Sequence, residues 1–403
     1  MAKDSLLFLS PVLPNANGSG REKRAHQWLM LLSQKYTVQW LVITYSQELA
    51  DAAQLLPHTQ AVLLQYPRWK RWAQLLQTVL SFLVGPVKGA FLLEWMPLRQ
   101  PQKDALRPIY QDQDFAKILA FRLYTSEYAF FLQQLTNTPL VELDLDDIES
   151  STFLKTSRIL LKGKLYKKAF LKFVASHQFR LFENQYLKKF DKVYLCSRED
   201  RKLLEQRLPA ATGAVFPNRM YGKTNSFGKP DQVQRLLFVG SLDHYPNEEA
   251  VRWFIEQVLI PLREQDRKWE LQVVGYGVSE KLEEHLVNQP GVLFSGPVPD
   301  LGPVYAQAGI VVAPLHAGGG TKLKVLEAMW HGRPVVATQE AAYGLGIATG
   351  THYLLAETPA EYIQQCVKLA TDSVVYSQII AAAAQVAKEK FSYHAEHLPE
   401  IWE

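Results

Sequence analysis

The sequence predicts an α/β protein built from two doubly wound parallel sheets in tandem, and three observations predict it. The chain has 403 residues, more than the roughly 250–300 at which a single core stops growing. Short β-rich runs alternate with amphipathic helical stretches, which implies parallel strands covered by helices on both faces. The same rhythm starts afresh after Pro217 and the polar segment 222–231. Domains are therefore expected at 1–217 and 233–384, joined by a linker at 218–232.

In the first half the expected strands are 6–10, 38–44, 61–65, 140–143 and 192–196. The N-terminal apolar run is broken by Pro11 and lacks a small-residue cleavage site, so it reads as a buried first strand and not a signal peptide. The turn Asn15-Ala-Asn-Gly-Ser-Gly20 opens a helix whose apolar face carries Trp28, Leu31 and Leu32. The longest hydrophobic stretch, 75–84, is half of the ~20 residues a spanning helix needs and stops at Gly85-Pro86. No segment is expected to cross a bilayer. A long helical region is expected between 152 and 202. In the second half the strands are expected at 236–240, 271–275, 292–295, 310–314 and 334–337. Helices fall between them at 248–257, 280–286, 322–330 and 360–370. In such sheets ligands sit at the carboxyl ends of the strands, and two facing domains make a cleft.

Hydrophobic residues at 47% and charged residues at 21% exclude a disordered, collagen-like or coiled-coil chain. The net charge of +4 is mild, so charge has to be read locally. Two cysteines, Cys196 and Cys366, make neither a disulfide framework nor a structural zinc site and fit a reducing compartment. Hydrolase, redox and P-loop functions lack their motifs: there is no Ser-His-Asp arrangement, no Cys-x-x-Cys and no Gly-x-x-x-x-Gly-Lys-Ser/Thr.

The most informative segment is 309–338, a buried strand, a triple-glycine turn, a helix and another buried strand. Gly318, Gly319 and Gly320 permit positive φ and close backbone approach. The free N–H groups of the next helix then favour a phosphate. Thr321 is expected to cap that helix and Lys322 to supply a cation in its first turn. A lysine there opposes the helix dipole, which an anionic ligand would rationalise. Glu327 on the same helix is placed for ribose hydroxyls, with no core duty expected of it. The plain alternative is an ordinary glycine-rich loop with a solvated Glu327.

The run 318–336, with its Glu-Ala-Met and Gly-x-Pro-Val-Val cadence, resembles the donor-site signature of glycosyltransferase family 4, of GT-B fold. The resemblance extends to Phe238-Val-Gly-Ser-Leu242, Pro246-Asn247, Ala250-x-x-Trp-Phe254, Val273-Val-Gly-x-Gly277 and Phe294-Ser-Gly-x-Val298. Pro11 to Arg24 is similar to the family's N-terminal glycine loop, and Tyr194-x-Cys-Ser197 and Val215-x-Pro-Asn218 to its last strands before the linker. The similar branch contains bacterial exopolysaccharide and cell-envelope sugar transferases. The resemblance implies a cytoplasmic, retaining enzyme that moves a sugar from a nucleoside diphosphate to a glycan, lipid-linked or small-molecule acceptor without a metal. It implies a donor site of Gly18, Gly20, Gly240, Ser241, Gly275, Gly318, Gly319, Gly320, Thr321, Lys322, Leu323 and Glu327. Catalytic roles fall on Lys322, which stabilises the leaving group, and on Asp144. A C-terminal helix at about 385–403 is expected to pack back on the first domain.

Two departures from the family pattern stand out. Many members carry two glutamates eight positions apart; Glu327 matches the second, and Gly319 occupies the first, so the sugar is left open. The arginine and lysine that often follow the first strand of this domain are replaced by Ser241 and Asn247. Lys322 could supply the missing charge, with Lys324 the weaker candidate. The competing expectations are a catalytically idle nucleotide-sugar-binding scaffold and an epimerase of the same fold.

The acidic run Asp144-Leu-Asp146-Asp147-Ile-Glu149 fits a metal site or an acceptor-side or structural role, with Asp144 facing in. His26, His316 and His331 are each readable as an ordinary histidine or as a base. Residues 155–202 carry 14 Lys/Arg against 4 Asp/Glu, interleaved with Leu160, Leu161, Leu165, Phe170, Leu171 and Phe173. That stretch fits a solvated helix face, or peripheral docking on the anionic inner face of the cytoplasmic membrane. Nucleic-acid binding comes third, as no recognition module accompanies it.

Overall fold

A computed structural model describes residues 4–64, 96–221, 229–230 and 232–393. The hydrophobic stretch 75–84 lies outside the described residues. The chain divides after Pro217 into two compact units.

The first unit holds a seven-stranded sheet of β1 (Ser5–Ser10), β2 (Thr37–Thr44), β3 (Thr59–Leu63), β4 (Lys117–Phe121), β5 (Val141–Asp146), β6 (Lys192–Leu195) and β7 (Gly213–Val215). Its order is β3-β2-β1-β4-β5-β6-β7, with every pairing parallel. In β1 the stretch Leu6 to Ser10 is fully buried, as expected of a central parallel strand covered on both faces. The next helix, Gly20–Leu32, starts where its sequence says it should. The Ser19 side chain accepts from the Glu22 N–H, and the Glu22 carboxylate accepts from the Ser19 N–H at 2.7 Å. That reciprocal box satisfies two otherwise orphaned donors.

β4 was not anticipated, and β7 only through the resemblance of Val215-x-Pro-Asn218 to a last strand before the linker. β4 opens on a charge, and its apolar run is only four residues long. The structure explains the charge: the buried Lys117 ammonium donates to Glu142 on β5 at 2.7 Å, and the Tyr194 hydroxyl on β6 donates to the same carboxylate at 2.9 Å. β7 has three residues and no periodicity to read.

The second unit holds a six-stranded parallel sheet of β8 (Arg235–Val239), β9 (Glu270–Val274), β10 (Val292–Gly296), β11 (Ile310–Ala313), β12 (Val335–Ala337) and β13 (Leu354–Leu355). Its order is β10-β9-β8-β11-β12-β13. In both sheets the order reverses beside the unit's first strand, at β1/β4 and at β8/β11. The crevice at the carboxyl ends of such a pair is where doubly wound sheets place ligands.

At the C-terminal end, helix Ser373–Phe391 buries Ile379, Ala383, Val386, Ala387 and Phe391 in the second unit's core. The expected linker also begins inside the second unit. The Met220 N–H donates to the Phe391 carbonyl at 2.7 Å, and the Tyr221 and Tyr393 rings stack at 4.7 Å. Residues 394–403 lie outside the described residues.

Candidate functional site

At the β8/β11 switch point the chain leaves β8 through Gly240 and Ser241, and leaves β11 through 314–322. Gly275 follows β9. The Gly240 N–H donates to the Val274 carbonyl and the Gly275 N–H to the Gly296 carbonyl, both at 3.0 Å. A Cβ added at Gly275 would stand 1.8 Å from the Gly240 oxygen. Only glycine lets these two strand exits lie against each other.

After β11, Gly318 and Gly320 adopt φ of 153° and 57°, the positive range that glycine enters without a Cβ clash. Gly319 takes no positive φ. The helix Leu323–Trp330 follows, with Lys322 as its N-cap residue and no side chain capping it. Thr321 is not the cap: its hydroxyl accepts from the Asn218 side-chain amide at 2.7 Å. Leu323 packs against the core. Among the described residues no side chain caps the N-terminal N–H groups of this helix, the arrangement that attracts an anion.

The two lysines differ from expectation. The Lys322 ammonium turns back on its own loop, donating to the Gly319 and Gly320 carbonyls at 3.0 and 2.8 Å, with Glu340 at 3.8 Å. It holds the glycine loop in shape. Lys324, the weaker candidate in the sequence, reaches the carboxyl end of β8. Its ammonium donates to Asn247 Oδ1 at 2.7 Å and sits 4.1 Å above the Phe238 ring centroid. A Cβ on Gly240 would lie 2.8 Å from it. Asn247 in turn donates to the Ser241 carbonyl at 2.7 Å, and the Ser241 hydroxyl to Asp243 at 2.9 Å. Among the described residues no carboxylate lies within ion-pair distance of Lys324. Burial pushes its pKa down to about 7, and the neighbouring Lys322 charge acts in the same direction while Glu327 opposes it. A signal for this was present: residues two apart cannot share a helix face, so Lys322 and Lys324 had to serve different surroundings.

Glu327 is buried at 5% exposure and not solvated. The Tyr305 hydroxyl donates to Glu327 Oε2 at 3.2 Å, and the Tyr305 ring stacks on His331 at 4.7 Å. Burial and the Glu327 charge both raise the Tyr305 pKa. Glu327 therefore has the core duty that its sequence position did not reveal. His316 sits beside Trp253, 3.6 Å from Glu249.

In the first unit, Asp144 on β5 is fully buried and saturated. Arg24 Nε and Nη2 donate to its two oxygens at 2.7 and 2.8 Å, the Trp28 indole donates at 2.6 Å, and the Asp146 N–H donates at 3.2 Å. This corrects the catalytic expectation for Asp144: a carboxylate with every lone pair engaged orients the Gly20–Leu32 helix and has none left for a substrate proton. Gly18 and Gly20 belong to that helix start, where a Cβ on Gly18 would strike the Glu22 side chain at 2.6 Å. The neighbouring acids are held by arginine too. Arg122, at φ 72°, donates to Asp146 and Asp147 at 3.1 and 2.7 Å and pairs with Glu149 at 3.0 Å. Burial lifts Asp146 to about 6 against the pull of Arg24 and Arg122. Among the described residues no group of three His, Cys, Asp or Glu side chains is set to hold a metal ion. His26 is half-buried, and burial lowers its pKa.

Comparison with known proteins adds a family match over part of the chain and a fold. Residues 233–372 match the family described as glycosyl transferases group 1. An uncharacterised 44.6 kDa protein of the cps region of Klebsiella pneumoniae is 22% identical over 397 residues, covering 95% of this chain and 93% of that protein. Among solved structures, sucrose-phosphate synthase from Thermosynechococcus elongatus superposes with a TM-score of 0.68 at 15% identity, covering 99% of this chain and 98% of that one. TarM of S. aureus, with fondaparinux, α-GlcNAc-glycerol and UDP, gives 0.66 at 12% identity over 99% of both chains. HepE of Anabaena, with UDP and glucose, gives 0.60 at 15% identity over 96% of both. The chain thus has the GT-B fold of two Rossmann-like sheets, and its second unit carries the match to glycosyl transferases group 1.

Proposed function

We propose that this protein is a retaining glycosyltransferase that moves a sugar from a nucleoside diphosphate to a glycan or lipid-linked acceptor. The observation that carries the reading is Lys324: a half-buried ammonium with no carboxylate partner among the described residues, held over Gly240 at the β8/β11 switch point. A diphosphate set between Lys324 and the uncapped start of helix Leu323–Trp330 meets a positive charge and free N–H groups together. Charge growing on the departing diphosphate is stabilised there, the term that usually dominates such catalysis. Lys322 keeps the glycine loop open by holding its carbonyls, and Glu327 lies below for ribose hydroxyls. With Asp144 saturated, the acceptor proton passes to the leaving diphosphate, and the reaction needs no metal.

The acceptor is offered at the anionic inner face of the cytoplasmic membrane. Purified protein incubated with a panel of nucleotide sugars tests the reading. Release of nucleoside diphosphate, with transfer to a lipid-linked or glycan acceptor at unchanged anomeric configuration, supports it. Nucleotide binding without release or transfer identifies an idle scaffold, and sugar inversion without transfer an epimerase.

A further inference from the structure

Helices Glu149–Lys162 and Tyr166–Tyr186 form an antiparallel hairpin. Ser157 donates to the Ala169 carbonyl and Ser176 to the Ser150 carbonyl, both at 2.7 Å, which fixes the antiparallel register. The base of the hairpin is built like a core. Phe153 and Phe179 stack at 5.0 Å, and Glu183 accepts from Ser150 and pairs with Arg207. The tip is built in the opposite way. Residues 161–168 are all exposed, and Lys164 turns the chain at φ 58°.

Turns are ordinarily polar, yet this one presents Leu161, Leu165, Tyr166, Phe170 and Phe173 at 38–64% exposure. Large exposed apolar clusters of this kind mark contact surfaces. The charge along this stretch has one sign only: no Asp or Glu occurs from 150 to 182, while Lys162, Lys164, Lys167 and Lys168 flank the turn. The basic stretch 155–202 is therefore not one surface. Leu160 is buried, and residues 192–195 form β6 inside the sheet; only the hairpin tip combines exposed apolar side chains with unopposed positive charge.

We propose that the hairpin tip, residues 161–173, seats itself in the headgroup region of an anionic lipid bilayer. Its aromatic and leucine side chains enter the acyl boundary, and its lysines lie among lipid phosphates. Apolar insertion framed by lysine is the combination that interfacial helices use, and long lysine stems reach headgroups while their methylenes stay in the apolar layer. The proposal deepens the reading that the acceptor is lipid-linked and gives the enzyme the surface from which to take it.

Co-sedimentation with vesicles of phosphatidylglycerol and phosphatidylcholine, and with pure phosphatidylcholine, tests it without donor or turnover. The wild type is expected to bind the anionic vesicles, and binding should fall as salt screens charges beyond about 8 Å. Lys167→Ala with Lys168→Ala, and separately Tyr166→Ser with Phe170→Ser, should each lower partitioning by about tenfold or more. All four side chains are exposed, so the fold survives and circular dichroism checks it. An environment-sensitive dye on Phe170→Cys reports depth, since Cys196 and Cys366 are buried; its emission should shift to the blue on anionic vesicles. Equal binding to both vesicle types, binding indifferent to both double variants, or a dye that stays in water overturns the proposal. So does self-association that the same variants abolish without vesicle binding, because the occupant is then a second copy of the chain. Vesicle binding with no sugar transfer would break the proposed reaction and leave this docking surface standing.

Discussion

The two sheets share the order in which their first six strands lie, yet their switch points are finished in opposite ways. In the first unit the carboxyl end of β5 is filled with matched charge: Arg24 clamps Asp144 in two places, and Arg122 spans Asp146, Asp147 and Glu149. In the second unit the β8/β11 crevice is lined by glycine, and its inward cation, Lys324, meets an amide and a ring among the described residues. One topology thus serves two ends. Saturated ion pairs make a rigid platform, and an unmatched charge beside open backbone makes the proposed binding site.

Asp144→Ala leaves the fully buried Arg24 without its bidentate partner, and removing one member of a buried pair costs about 3–5 kcal/mol. Urea denaturation should show that loss, while the folded variant keeps its affinity for UDP. A loss below about 1 kcal/mol would mean the first switch point is not held by this pair. Gly275→Ala comes next. It drives a methyl into the Gly240 oxygen, and such overpacking costs about 1–3 kcal/mol or more. Because Gly240 borders Lys324, UDP affinity should fall together with stability; a stable variant with unchanged affinity would separate the two strand exits from the site. Glu327→Ala sharpens the contrast on the other side of the crevice. It leaves the buried Tyr305 hydroxyl unpaired, for about 1–3 kcal/mol, and should weaken nucleoside binding as well. Calorimetry with UDP against free phosphate checks the second part, since only the nucleoside carries a ribose.

Much of this architecture was legible because central parallel strands are covered on both faces and read as continuous apolar runs. β1, β8, β11 and β12 announced themselves in that way, and the glycine turn marked the exit of β11 beside the β8/β11 crevice. β4 was hidden by Lys117, whose charge makes sense only once Glu142 lies beside it on β5. The same long-range pairing concealed the true state of Asp144, whose partner Arg24 is 120 residues away in sequence. The surroundings of the two lysines were hidden for a related reason. Sequence spacing places Lys322 nearest the glycines, and it is indeed bound to them, but through its own loop's carbonyls. Lys324 gains its position from Gly240 and Asn247 on another strand exit. Helix Ser373–Phe391 is alanine-rich, and its sequence alone does not say which core takes its small face.

The account turns on whether Lys324 binds the diphosphate as a cation. UDP titrated calorimetrically into the wild type and Lys324→Met, at about pH 6 and about pH 8, decides it. Met keeps the length of the side chain and removes the charge, and both proteins see the same ionisation of UDP itself. With its pKa lowered to about 7, Lys324 is charged at the lower pH and largely neutral at the higher. A diphosphate selects the protonated form, so the advantage of the wild type is greatest below pH 7 and declines as pH rises through it. The expected gap near pH 6 is about 1.5–3 kcal/mol, the worth of a charge-assisted contact, and it narrows toward pH 8. Equal affinity of the two proteins at both pH values would contradict the account and take the β8/β11 crevice out of nucleotide recognition.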